Sequence, residues 1–198
     1  SPRLDFVAHI EEERVSLDTR WFEFLQICGL HFAVANYTSD SFKNVDGIIL
    51  SGGNDLSDLT YSIQNKKRDD YEKKLVQYAV KKSIPVLGVC RGAQHLAYMY
   101  GSSLSAVVNH VRVEHKLIKK FKSKLLGSVL NHDNVNSFHD FAISELGSDL
   151  KTLAACEDNT IEAFEHKNHK ILGILWHPER VKSYCDADVE LITRFFEI

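Results

Sequence analysis

Val86-Leu87-Gly88-Val89-Cys90-Arg91-Gly92 sets a cysteine between two glycines, where an apolar run gives way to a helical pattern. Cysteine is intrinsically a strong nucleophile, and its thiolate is the attacking form. Glycines on both sides let the backbone turn sharply, so the central side chain projects from the end of a strand. That is the geometry of a nucleophile elbow, with Cys in place of Ser. A helix that starts at the next residue brings its positive dipole end to the sulfur and favours the thiolate. An isolated cysteine is more often inert core packing. The flanking glycines at a strand-to-helix junction are what make Cys90 a candidate nucleophile.

A nucleophile of this kind needs a base, and Trp176-His177-Pro178-Glu179 follows directly after another apolar run. A histidine at the C-terminal end of that strand shares the sheet edge at which open α/β folds gather their catalytic groups. Pro178 keeps His177 extended, so Glu179 can turn to the same side and fix the imidazole tautomer. Alone, a His-Pro-Glu is more often a strand-end histidine beside a solvated glutamate; next to Cys90 it reads as the base and its orienting carboxylate. Ser51-Gly52-Gly53 ends a third apolar run. Backbone amides there and at Arg91 could cradle an oxyanion, although a Gly-Gly pair by itself is an ordinary turn. No Gly-Lys-Ser/Thr follows, so a phosphate-binding P-loop is not supported.

The elements that must position these residues alternate between strands and helices. Leu17 to Leu30 has its apolar residues, Trp21 and Phe24 among them, on one helix face that packs a core, with Gly29 as its stop. His31 to Ala35 reads as a strand, Gly47 to Leu50 as a short buried strand, and Asp69 to Lys82 as a helix whose charges suit its dipole. Ile84 to Val89 is the continuous apolar run of a parallel strand covered on both faces. Gly92 to Tyr100 follows as a helix, and residues 101–139 as short strands and loops. Ala142 to Leu146 reads as a short helical or loop segment. Thr160 to Phe164 and Ile171 to Trp176 are strands, and Asp186 to Phe196 a closing helix. The pattern predicts an α/β fold, a mainly parallel central sheet flanked by helices, in one domain over residues 1–198. The chain opens Ser-Pro-Arg without a methionine or an apolar strand before it, so a few residues, up to an entire first strand, are expected upstream.

Composition narrows the function classes. A net charge of −3 gives no footprint for a nucleic-acid polymer or a membrane surface. No apolar run reaches the roughly 20 residues of a membrane span, and no signal peptide is visible. Cys28, Cys90, Cys156 and Cys185 form no CxxC pair, which argues against zinc and for a reducing compartment, the cytoplasm. His110 and His115 lack a metal-ligand spacing such as HExxH and read as loop or cavity-wall residues. His166 and His169, beside lysines, read as an exposed turn. No metal or cofactor is expected.

Taken in order along the chain, these motifs resemble the class I glutamine amidotransferase superfamily, and more closely its free-standing γ-glutamyl hydrolases of the peptidase C26 type. The likeness runs through Asp18-Thr19-Arg20-Trp21, Ser51-Gly52-Gly53, Arg68-Asp69-Asp70-Tyr71-Glu72, Gly88 to Gln94, Val135 to His139, Ile161-Glu162-Ala163 and Trp176 to Glu179. It implies a flavodoxin-like three-layer sandwich and a cysteine-dependent γ-glutamyl hydrolase. In it Cys90 is the nucleophile, His177 the acid/base, Glu179 its partner, and the Gly53 and Arg91 amides the oxyanion donors. Gly52, Gln94, Ser137, Phe138 and His139 would hold the glutamyl group. Asp140-Phe141 and Leu175 stand where many members carry His-Gln and a small polar residue. The implied substrate is a small γ-glutamyl amide. Asp18 to Leu25 and Trp176 to Arg180 look like a narrower group that acts on nucleotide-linked γ-glutamyl amides in capsule biosynthesis, with Arg3, Arg20 and Arg180 as candidate phosphate partners. No obligate protein partner is expected. The alternatives are a glutaminase subunit that delivers ammonia to a synthetase, a γ-glutamyl-polyamine-type hydrolase, and a binding module that kept the fold.

Overall fold

The computed structural model describes residues 1–37, 44–128 and 130–197. A hairpin of β1 (Arg3–Val7) and β2 (Glu12–Ser16) leads into α1 (Arg20–Ile27), then β3 (Ile48–Leu50), α2 (Ile63–Lys82), β4 (Val86–Val89) and α3 (Arg91–Met99). Short strands follow: β5 (Ser103–Ala106), β6 (Val111–Lys116), β7 (Lys119–Lys120), β8 (Asn134–Phe138), β9 (Phe141–Glu145) and β10 (Leu150–Ala155). The chain closes with β11 (Ile161–His166), β12 (Ile171–Ile174) and α4 (Asp186–Phe196).

The α/β class holds, and the central sheet is mixed, in the order β3-β4-β12-β11-β10-β7, with β9 and β5 branching from β11. Its parallel part is β3, β4 and β12, with Leu50 opposite Gly88 and Ile174 opposite Val89. Those three strands therefore end together at one edge. The remaining pairings are antiparallel, as the short links between β10, β11 and β12 require, because parallel neighbours need a long crossover. β6 and β8 form a separate two-stranded ribbon.

Side-chain alternation along the parallel strands sorts the core into two layers. Leu87, Val89, Leu172 and Ile174 meet Trp21, Phe24 and Leu25 of α1 and Leu191, Ile192 and Phe195 of α4. Val86 and Ile171, on the other face, meet Leu75, Val76 and Ala79 of α2 and Ala93, Leu96 and Ala97 of α3. Each fully buried aliphatic side chain contributes about 1.5–3 kcal/mol. Among the described residues no helix is long and apolar enough to cross a membrane.

Several local readings are corrected. α1 is shorter at both ends than Leu17 to Leu30, but Gly29 does end it, in the left-handed region at φ 73°. His31 to Ala35 is not a strand: residues 31–34 are exposed, and Phe32 instead packs its ring 5.3 Å from Phe22 on the outside of α1. α2 begins at Ile63, not Asp69, with the Ser62 hydroxyl accepting the Asn65 amide at 3.0 Å. Its first turns are so polar that amphipathic periodicity could not reveal them. Residues 141–145 form strand β9 against β5, a run too short to show a period. His166 is buried at the end of β11, and its Nδ1 accepts the amides of Asn168 and His169.

Candidate active site

Cys90 follows a strand that is buried along its whole length and sits at φ 52°, ψ −110°, a backbone conformation that L-residues rarely adopt. Such strain persists only where the surroundings enforce it. Here the Cys90 amide donates to the Ile174 carbonyl at 2.8 Å, and the Gln94 amide returns to the Cys90 carbonyl at 3.0 Å. The flanking glycines make the turn sterically feasible. A Cβ on Gly92 would lie 2.0 Å from the Leu50 carbonyl oxygen, and one on Gly88 would lie 2.7 Å from the Ala93 nitrogen. α3 thus packs directly on β3 and β4, and its N-terminus faces the sulfur.

His177 reaches the same edge from β12. Trp176 is buried and donates its indole N–H to Asp188 of α4 at 2.9 Å, which anchors the segment. The His177 backbone is clamped on both sides by one side chain: Asn136 Oδ1 accepts its amide at 2.8 Å, and Asn136 Nδ2 donates to its carbonyl at 2.8 Å. His177 Nδ1 lies 2.7 Å from Glu179 Oε1, and the Phe138 ring stands edge-on at 5.7 Å. Gly52 is the gap between His177 and Cys90, since a Cβ there would fall 2.6 Å from His177 Cε1, 3.4 Å from its Nε2 and 3.6 Å from Cys90 Cβ. Burial disfavours a charged imidazole, but the neighbouring Cys90 sulfur and the Glu179 carboxylate outweigh burial and raise its pKa to about 9.

A buried ion network supports both loops. Glu72 has no exposed surface and accepts Arg68 Nε at 2.9 Å as well as a hydrogen bond from Arg91. Arg91 also pairs with Asp69, whose carboxylate caps the Ser57 amide at 2.8 Å. Arg68 then reaches the carbonyls of Ser51 at 2.6 Å and Gly52 at 3.1 Å. The two segments whose amides border Cys90 are therefore tied to one carboxylate. Burial alone would raise the Glu72 pKa, but Arg91 and Arg68 drive it well below the usual carboxylate range. Sequence reasoning missed this network because Asp69 and Glu72 looked like the acidic start of a helix. It also passed over Asn136, although that residue stands inside the Val135 to His139 motif.

The other expected site residues divide into two groups. Gly52 and Phe138 border the His177 ring and the Arg91 backbone follows Cys90, while Gly53 (φ 125°), next in the chain, faces Arg3 and Arg68. The Gln94 side chain is buried and donates to the Phe141 carbonyl at 2.7 Å. Ser137 Oγ donates to the His110 carbonyl at 2.6 Å, and the His139 ring lies 5.1 Å from that of His110. These two side chains are thus turned away from His177, which leaves only their backbone for a ligand on that side. A cleft of about 230 Å³ opens at Gly52 and Gly53, with Arg3, Asp18, Glu179 and Arg180 in its wall. Arg180 lies 5.3 Å over the Phe138 ring, while Arg20 is held by Asp18 at 2.7 Å. Neither this cleft nor a larger cavity of about 440 Å³, walled by Asp69, His95 and Tyr98, has Cys90 or His177 in its wall; the smaller one reaches them through Gly52 and Glu179.

A family model described as peptidase C26 matches residues 30–179. The γ-glutamyl-CDP-amidate hydrolase of Campylobacter jejuni is 45% identical over 154 residues, which span 78% of this chain and 71% of that protein. A glutamine-hydrolyzing GMP synthase subunit of Methanocaldococcus jannaschii is 27% identical over 159 residues, 80% of this chain and 77% of that one. Among solved structures, a GMP synthase-like protein from Thermoplasma acidophilum superposes with a TM-score of 0.73 at 21% identity, covering 90% of this chain and 86% of that one.

Proposed function

The chain belongs to the peptidase C26 family, a cysteine hydrolase family, and from that premise we propose that it hydrolyses a γ-glutamyl amide bond through Cys90, His177 and Glu179. The observation that carries the reading is the buried His177, bonded to Glu179 through Nδ1 and separated from Cys90 only by Gly52, where a Cβ would touch both side chains. The Cys90 thiolate attacks the γ-carbonyl carbon, and the oxygen takes up charge in reach of the Gly53 and Arg91 amides. The His177 imidazolium gives its proton to the leaving nitrogen, which departs as the amine and leaves a thioester. Water, losing a proton to His177, then cleaves the thioester and releases glutamate.

For the leaving group we propose a nucleotide-linked amide of the γ-glutamyl-CDP-amidate type, which would yield glutamate and cytidine diphosphoramidate. Two observations support it: the relative at 45% identity bears that name, and Arg3 and Arg180 stand in the wall of the cleft beside Gly52. Guanidinium groups suit a pyrophosphate. The likeness to GMP synthases favours a second reading, ammonia supply to a synthetase. Glutamate release from γ-glutamyl-CDP-amidate, from other γ-glutamyl amides and from glutamine separates the two. The expected kcat/KM is roughly 10²-fold in favour of the nucleotide amide, because Arg3 and Arg180 would pair with phosphates that glutamine lacks. A chain that turns over glutamine alone would refute the hydrolase reading.

The pH profile provides a second test. Because His177 must carry a proton to the leaving group, and its pKa is raised to about 9, activity should persist to that pH and decline above it. Glu179→Gln removes a charge that holds the proton on the ring, so the alkaline limb should move to lower pH while the rate falls. Rate–pH curves for the two proteins check this, and an unmoved limb would mean that Glu179 does not tune His177.

A further inference from the structure

His110, His115, His139 and Glu162 each present a ligand atom, and these atoms all lie within 4.8 Å of one another. They come from four places: the residue just before β6, β6 itself, the residue just after β8, and β11. His110, His139 and Glu162 are buried, with 5%, 4% and 0% exposure. Both nitrogens of His139, Nδ1 of His110 and Oε2 of Glu162 are buried without a hydrogen-bond partner. A fold rarely tolerates so many unanswered polar atoms in one place unless something answers them. His139 Nε2 stands 3.7 Å from Glu162 Oε1, too far for a hydrogen bond but suited to sharing an ion with it. His115 Nδ1 reaches the same oxygen at 2.9 Å.

The outer contacts point the same way. Asp158 Oδ2 lies 2.8 Å from His110 Nε2. If that nitrogen donates its proton to the carboxylate, Nδ1 is left with a lone pair facing the cluster, the arrangement by which a carboxylate orients a metal-bound histidine. Cys156 Sγ sits at the rim, 3.1 Å from Glu162 Oε1 and 3.3 Å from His115 Nδ1. Imidazole-rich sets with a thiol at hand select late first-row ions over magnesium or calcium.

We propose that His110, His115, His139 and Glu162 form a binding site for a divalent transition-metal ion, zinc by preference, that acts as a structural brace. Three imidazoles and one carboxylate complete the four-ligand shell of a closed zinc site. Zinc–ligand bonds of about 2.0–2.1 Å put tetrahedral donors roughly 3.3 Å apart, so side-chain shifts of about an ångström close the set. The ion would fasten the β6–β8 ribbon, which has its own sheet, to β11 of the main sheet. Asn136 and Phe138 of that ribbon hold His177, so the brace would steady the candidate active site without touching it.

The test uses the full chain with Cys90→Ala, so that the candidate nucleophile cannot capture the metal. The protein is stripped with chelator and titrated with Zn²⁺ alone, with bound metal counted by mass spectrometry and melting followed by circular dichroism. One ion per chain at submicromolar affinity is expected, together with a melting point raised by Zn²⁺. His132→Ala should leave the zinc stoichiometry and affinity unchanged, which excludes the other such group among the described residues, His132, Cys185 and Asp188. His110→Gln with His139→Gln should weaken binding by 100-fold or more. Asp158→Ala, at a half-exposed position outside the cluster, should weaken it about 10- to 100-fold. No binding at micromolar Zn²⁺ by the folded Cys90→Ala chain overturns the proposal. So does unchanged affinity in the double variant or, should that variant not fold, in Asp158→Ala.

Discussion

Replacing Cys90 by alanine is expected to lower the rate of γ-glutamyl amide hydrolysis by at least about 10⁴-fold, the scale seen when a covalent nucleophile is removed. The backbone should survive, because alanine keeps the Cβ that already sits at φ 52° and the cysteine is only 5% exposed within its packing. Far-UV circular dichroism and the melting temperature should therefore match the wild type while glutamate release disappears. Cys90→Ser sharpens the test. It keeps the position and the hydrogen-bonding atom, but a hydroxyl does not ionise beside an imidazole as a thiol does, so its rate should fall nearly as far. The other buried thiols cannot substitute. Burial, with Asp188 nearby, pushes Cys28 up to about 12, and burial with Glu162 pushes Cys156 up as well. A folded Cys90→Ala chain that kept even a tenth of its activity would end the covalent mechanism.

The second large effect is on stability. Glu72→Ala should cost about 3–5 kcal/mol, because it leaves the buried Arg68 and Arg91 without the carboxylate that both engage. In a domain whose whole stability is about 5–15 kcal/mol, the melting temperature should drop by roughly 10 °C or more. Glu72→Gln keeps the shape and part of the hydrogen bonding and should fall between alanine and wild type. Because the network lowers the Glu72 pKa, its contribution is fully present above the ordinary glutamate range and is lost only as acid protonates the folded carboxylate. Activity should suffer with stability, since Arg68 holds the Ser51 and Gly52 carbonyls and Arg91 adjoins Cys90. Thermal melts decide the matter, and a change of less than about 2 °C would show that the pairs offset only their own desolvation.

Much of the frame is legible in the residues. The run from Ile84 to Val89, the glycines around Cys90, and the helix from Asp186 to Phe196 are local signals, and the structure has a strand, a sharp turn and a helix there. Local signals fail where partners are distant. Residues 31–35 have the composition of a strand, yet no strand among the described residues pairs with them. Residues 141–145 carry no clear period, yet they become a strand because β5 offers a free edge. The polar start of α2 is helical because Ser62 caps it and because its buried Arg68 and Glu72 pair with each other, with the Ser51 carbonyl just past β3 and with Arg91 of α3.

By itself the sequence determined the alternation of strands and helices, and it put a cysteine, a histidine and a Gly-Gly pair each just past a strand end. Chain-local chemistry is enough for that, since φ/ψ preference and apolar periodicity act over a few residues. Only the tertiary structure decided that β3, β4 and β12 run parallel and finish in register, bringing those three ends to one edge. It also decided that Glu72 is shared by two arginines, and that histidines in and beside the β6–β8 ribbon meet Glu162 of β11. The reason is physical: such contacts depend on which strands become neighbours, and sheet order is set by packing over the whole chain rather than by any segment within it.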